Sequence, residues 1–169
     1  MIDTAYVQRM ARYNRWQNEN LYGAAATLSD GQRKLDAGAF FRSIHGTLAH
    51  LMWGDMTWMH RFHPTSPPAP ARPDNASFVS LCPDWAELVR SRSAFDASII
   101  AWADALDPAW LDGDLTWTSS DGSRTTTLAK WVLVTHFFNH QTHHRGQVHC
   151  LLTAAGAKPG DTDLMILKV

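Results

Sequence analysis

The stretch LAKWVLVTHFFNHQTHHRGQVHCLLTAAG, Leu128 to Gly156, decides how this chain folds. No proline interrupts it, and Gly156 stands where a helix C-terminus takes its left-handed residue. Leu133, Phe137, His140, His144, Val148 and Leu151 recur in steps of three and four, the spacing of one helical face. Two imidazoles therefore stand on the face that should be core. A buried imidazole needs a partner for each ring nitrogen. Two histidines four apart point the same way and can share one metal ion.

Upstream, the chain reads as three more helices. Asp3 or Thr4 can cap the first, whose apolar stripe is Tyr6, Met10, Tyr13, Leu21, Ala24 and Leu28. Ser29-Asp30-Gly31 ends it, and residues 31–39 form a connector with room for a short turn of helix. The second helix is expected over residues 40–62, with Asp55 as the one charge on its buried face. His50 lies beside that face, and its neighbours Gly46, Thr47 and Gly54 are small, which leaves room for something other than a side chain. Residues 64–73 hold five of the eight prolines and form an extended loop. Pro83 fits the first turn of a third helix that carries Trp85, Leu88, Arg92, Phe95 and Ile99, with Arg92 lying over the edge of the stripe. Asp107-Pro108 stops that helix. Threonine-rich runs around Asp121-Gly122 predict a small β-hairpin, and Thr127 is expected to cap the last helix. The apolar tail, Leu164 to Val169, is expected to pack back onto the helices. The fold class expected is all-α: a four-helix bundle with a long proline-rich crossover, in one domain over residues 1–169.

Composition removes several function classes. Hydrophobic content of 45% with 18% charged residues is that of a globular chain. A net charge of −1 and the lack of a lysine or arginine run argue against nucleic acid, whose binding needs clustered positive charge. No segment is long and apolar enough for a bilayer, and the start has no signal-peptide core. Two distant cysteines, Cys82 and Cys150, fit a reducing, cytoplasmic setting. With two glutamates, Glu19 and Glu87, a di-iron carboxylate site cannot be assembled. HFFNH lacks the glutamate of the HExxH metalloproteases.

What remains is histidine chemistry. His136 and His144 stand eight residues apart, a rise of about 12 Å, so one ion cannot take both. One i,i+4 pair can contribute, and a third ligand must come from another helix. His50 is the best candidate. Three histidines leave a fourth position for water, the arrangement of catalytic rather than structural metal sites. His136 is a further candidate, for lining the pocket or for proton transfer.

These residues also carry a resemblance. Asn139 to Gly156 (NHQTHHRGQVHCLLTAAG), Phe41 to Asp55 (FRSIHGTLAHLMWGD) and Arg9 to Tyr22 (RMARYNRWQNENLY) resemble segments of the DinB/YfiT-like family of metalloenzymes. The resemblance implies a four-helix bundle, often a homodimer, with one divalent metal per chain, nickel or zinc, on His50, His140 and His144. It also implies a small-molecule substrate and a low-molecular-weight thiol as partner, in S-transfer or hydrolysis. The alternative is a non-catalytic stress-response protein in which the metal is structural. Arg145 and Asp55 are expected as supporting groups, the latter as partner of Arg145 or of a ligand's second ring nitrogen. Tyr13, Asn14 and Trp16 are expected to line the pocket.

Overall fold

The structure is a computed structural model that describes residues 2–119 and 121–168. It is mostly helical, with one small antiparallel hairpin before the last helix. Helix α1 spans Thr4–Ala26, and Asp3 caps it by accepting from the Tyr6 amide at 2.8 Å. Ser29 and Gln32 form a capping box that starts the short α2, Asp30–Lys34. Helix α3 spans Ile44–Phe62 and starts later than expected. Ser43 caps it, and Arg42 sits at φ 67°, a left-handed conformation that helix cannot continue through. Residues 64–73 carry no helix or strand and lead to a 3₁₀ turn, Phe78–Leu81. Helix α4 spans Trp85–Asp104. Its cap is Asp84, so Pro83 lies before the helix and not in its first turn. Asp107 caps the four-residue α5, Pro108–Leu111, with proline at its start.

The hairpin pairs β1, Asp114–Thr118, with β2, Thr125–Ala129. Its turn centres on Asp121 and on Gly122 at φ 72°, and Asp121 Oδ1 accepts from the Ser123 amide and hydroxyl. Ser120 lies outside the described residues. Thr127 does not cap the last helix. Its hydroxyl meets that of Thr116 at 2.7 Å across the hairpin, and α6, Lys130–Ala154, begins without a side-chain cap. Gly156 ends α6 as expected, at φ 84°, with the Ala157 amide bonded back to the Leu152 carbonyl.

Two hydrophobic clusters form the core. One holds Leu21, Leu48, Leu51, Leu88, Val148 and Leu152. The other holds Val7, Met59, Phe62, Ile99, Leu133 and Phe137. Helices α1 and α6 meet them in one order along the chain, and α3 and α4 in the opposite order. Between the clusters every long helix contributes buried polar residues: Asn14 and Asn18, Asp55, Arg92 and Asp96, Gln141 and Arg145. Arg92 Nη1 donates to Asp55 Oδ2 at 2.7 Å, and Arg92 Nη2 lies 2.8 Å from Asp96 Oδ1. Asn14 and Asn18 donate to Asp96, Gln141 donates to Asp55 at 3.0 Å, and Arg145 donates to Asn14. Two carboxylates and two guanidiniums balance in this layer, as buried charge requires. Arg92 is thus buried at the centre and not laid over a stripe's edge.

Residues 161 and 162 return to α1, where Tyr13 Oη donates to the Thr162 carbonyl at 2.6 Å and Gln17 to the Asp161 carbonyl at 2.9 Å. The apolar tail beyond them does not pack as expected. Leu164, Met165 and Ile166 are exposed, Met165 at 91%, because α1 holds the segment by its backbone carbonyls. Val169 lies outside the described residues. Among the described residues, no helix is long and apolar enough to cross a membrane.

Candidate metal centre

His50 comes from α3, and His140 and His144 from α6. One nitrogen from each ring lies within 4.8 Å of the others. His50 Nε2 and His140 Nε2 are 3.3 Å apart. Among the described residues no other histidine, cysteine, aspartate or glutamate joins the group. The helices approach this closely because Gly54 has no side chain: a Cβ there would stand 2.9 Å from His140 Cε1. The room beside His50 is therefore taken by the His140 ring. Gly46, likewise, faces the Phe41 carbonyl.

The His50 ring is clamped by aromatic neighbours. Phe41 stacks on it at 3.7 Å between centroids, and Phe78 meets it edge-on at 4.8 Å. His144 is oriented by a hydrogen bond, with Nδ1 2.8 Å from Gln147 Oε1. An amide oxygen only accepts, so Nδ1 carries the proton and the Nε2 lone pair is left free. Gln147 in turn offers its amide nitrogen to His143 Nε2 at 3.2 Å.

Burial, helped by the neighbouring imidazoles, pulls His50 down to about 2 and His140 to about 3. Burial also lowers His144. At neutral pH the three rings are neutral, the state a metal requires. The donor set fits a transition metal that accepts imidazole. One feature is incomplete: His50 Nδ1 is buried with no hydrogen-bond partner among the described residues, where a ligand's second nitrogen usually has one.

The other expected residues distribute differently. Asp55 reaches neither Arg145 nor a ligand nitrogen, because Arg92 and Gln141 take up its oxygens. Burial pushes its carboxyl up, and Arg92 and Gln141 pull against that. Arg145 is buried against Asn14 and Thr142, and burial pulls it down to about 10. Asn14 belongs to the polar layer and not to a pocket. Tyr13 anchors the chain near Thr162, and Trp16 packs against the Tyr13 ring at 5.9 Å. His136 is exposed, its ring 6.0 Å from that of His140 and 5.1 Å from Trp58. Sequence reasoning missed Phe41 and Phe78 as the clamp on His50, and it missed buried His45, whose Nε2 lies 2.7 Å from the Cys82 carbonyl. Phe78 lies beyond the proline-rich loop, far from His50 in the chain, and Phe41, expected within the second helix, instead precedes the Ser43 cap and turns back over His50.

No curated protein and no solved structure gives a significant match to the chain. The DinB family model matches residues 1–168, and the chain belongs to the DinB family.

Proposed function

We propose that this chain is a divalent-metal-dependent enzyme in which His50, His140 and His144 hold one nickel or zinc ion. The observation that carries the reading is the group of three neutral imidazoles with no fourth His, Cys, Asp or Glu beside them among the described residues. The ion would supply Lewis acidity that makes a thiol or water nucleophilic at neutral pH. The chain's own residues then orient and exclude. Gln147 holds His144 in the tautomer that presents Nε2. Phe41 and Phe78 keep water from one side of His50. The half-exposed His140 and exposed His136 mark the side open to solvent, where His136 can carry a proton. The reaction class is transfer of a low-molecular-weight thiol to, or hydrolysis of, a small electrophile.

In this reading the protein is a cytoplasmic homodimer of single-domain chains. The four long helices form a four-helix bundle. Helices α3 and α4 meet the two core clusters in the same order, so residues 64–73 would serve as the crossover between like-directed helices. Elemental mass spectrometry tests the metal: a near-stoichiometric transition metal in wild type and none in His50→Ala or His144→Ala is expected. Wild type that stays metal-free after reconstitution would refute it. The tight packing of His50 between Phe41 and Phe78 favours a second reading, a non-catalytic stress-response protein in which the metal ties α3 to α6. Metal removal that lowers the melting temperature, with no metal-dependent turnover of any thiol or electrophile, would decide for it.

A further inference from the structure

One indole away from the histidine cluster lies a small cationic cavity. It measures about 280 Å³ and is walled by Trp53, Thr57, His60 and Arg61 of α3 on one side and by Pro68 to Arg72 on the other. The Trp53 ring stacks 6.0 Å from that of His50, and its Nε1 donates to the Pro70 carbonyl at 2.9 Å, which holds the loop in place. Arg72 lies 5.8 Å over the Trp53 ring. Arg61 is half-buried, 4.7 Å over Trp58, with Nη2 donating to the Thr118 carbonyl at 3.3 Å. Neither arginine forms an ion pair among the described residues. Among the described residues, no acidic side chain lines the cavity.

We propose that this cavity is the subsite for a carboxylate carried by the small molecule that reacts at the three-histidine centre. Arg61, half-buried with no acidic partner among the described residues, calls for an anion, and Arg72, exposed at the rim and donating to Asn75 Oδ1 and the Pro73 carbonyl, adds positive charge there. Burial makes that need stronger for Arg61. The choice of carboxylate follows from the walls. Pro68 and Pro70 have no N–H, so the loop offers few of the backbone donors from which phosphate cradles are built. A planar guanidinium edge matches a planar carboxylate. The remaining wall is indole, proline and alanine with two polar groups already occupied, the Thr57 hydroxyl on the Trp53 carbonyl and His60 Nδ1 2.7 Å from the Ser66 carbonyl, and it suits one monoanion beside apolar carbon. The volume takes a substituent and not a whole substrate, so the reacting end would extend past Trp53 toward His50.

The subsite rests on reading the histidines as a metal centre, and the test separates the two. Propionate is titrated into the protein as purified and followed by NMR. The Trp53 indole and Thr57 amide signals are expected to move in wild type and to stay still in Arg61→Gln/Arg72→Gln. Unmoved signals in wild type overturn the subsite, whatever the metal content. On the zinc-loaded protein, 8-mercaptooctanoate, long enough to reach from the ion past Trp53, is expected to bind about tenfold more tightly than 8-mercaptooctanol. Arg61→Gln should lose that preference with zinc content unchanged. Equal affinities for the two thiols overturn the proposal. Inorganic phosphate displacing propionate at lower concentration than propionate itself overturns the carboxylate assignment. Propionate shifts without any zinc binding uphold the pocket and sink the metal reading alone.

Discussion

Replacing Arg92 by leucine tests the polar layer on which the helix packing rests. Arg92 is 3% exposed and lies between Asp55 at 2.7 Å and Asp96 at 2.8 Å, both nearly fully buried. Burial pulls its guanidinium down, and Asp96 and Asp55 more than offset that, so its proton is held above the ordinary value. Removing one partner of a buried ion pair costs about 3–5 kcal/mol, because the remaining charge is stranded. Here two carboxylates are stranded at once, with Arg145 the one balancing cation left in the layer. Against a total stability of about 5–15 kcal/mol, the variant should be near its unfolding threshold. Its melting temperature should drop by roughly 6–20 °C. Adding Asp96→Asn restores the charge balance between Asp55 and Arg145 and keeps one oxygen to accept from Asn14 or Asn18. The double variant is therefore expected to be more stable than Arg92→Leu, by at least about 1 kcal/mol in a double-mutant cycle. Urea denaturation of the three variants and wild type provides the measurement. A cost below 1 kcal/mol for Arg92→Leu, or a double variant as unstable as the sum of the singles, would refute the reasoning.

Three further outcomes are expected. Gly54→Ala places a Cβ against His140 Cε1, so metal retention should fall about tenfold or more, while alanine's helix propensity offsets about 1 kcal/mol of any packing loss; wild-type affinity in a chelator competition would contradict this. Gln147→Leu frees the His144 ring and should weaken metal binding about 10–100-fold, whereas Gln147→Glu keeps the acceptor and should bind at least as well as wild type. The third concerns pH. Burial, the largest effect, holds His45 below its ordinary 6.5, although the bond to the Cys82 carbonyl pulls the other way. The unfolded chain therefore takes up this proton first, so the stabilising contribution is present above pH 6.5 and is lost as pH falls through the folded value. Melting temperatures between pH 7 and 5 should fall more steeply for wild type than for His45→Leu, and equal slopes would show that His45 is not held neutral.

Sequence by itself determined the parts of this protein that depend on local order. The steps of three and four through Leu133, Phe137, His140, His144 and Val148 gave a helix, and that periodicity alone put two imidazoles on one face. Asp3 as a cap, Gly156 as a left-handed stop and the turn at Asp121-Gly122 are chemistry of single positions, and the structure has them there. His50 was legible through its resemblance to a family segment more than through its own spacing.

Tertiary structure decided everything that depends on which faces meet. Helix α6 is buried on two sides, so Gln141 and Arg145 are as interior as His144, although their pattern alone reads as polar surface. Asp55 was expected beside Arg145, and Arg92 on an edge; the pairing is Asp55 with Arg92, because α4 and not α6 brings the guanidinium to that depth. Tyr13 and Asn14 left the expected pocket for the same reason, one drawn to Thr162 and the other to Asp96. Periodicity specifies how a helix distributes its side chains around its axis. The partner each side chain finds is fixed only when four helices choose a mutual rotation, and the cost of burying a charge without a counter-charge makes that choice.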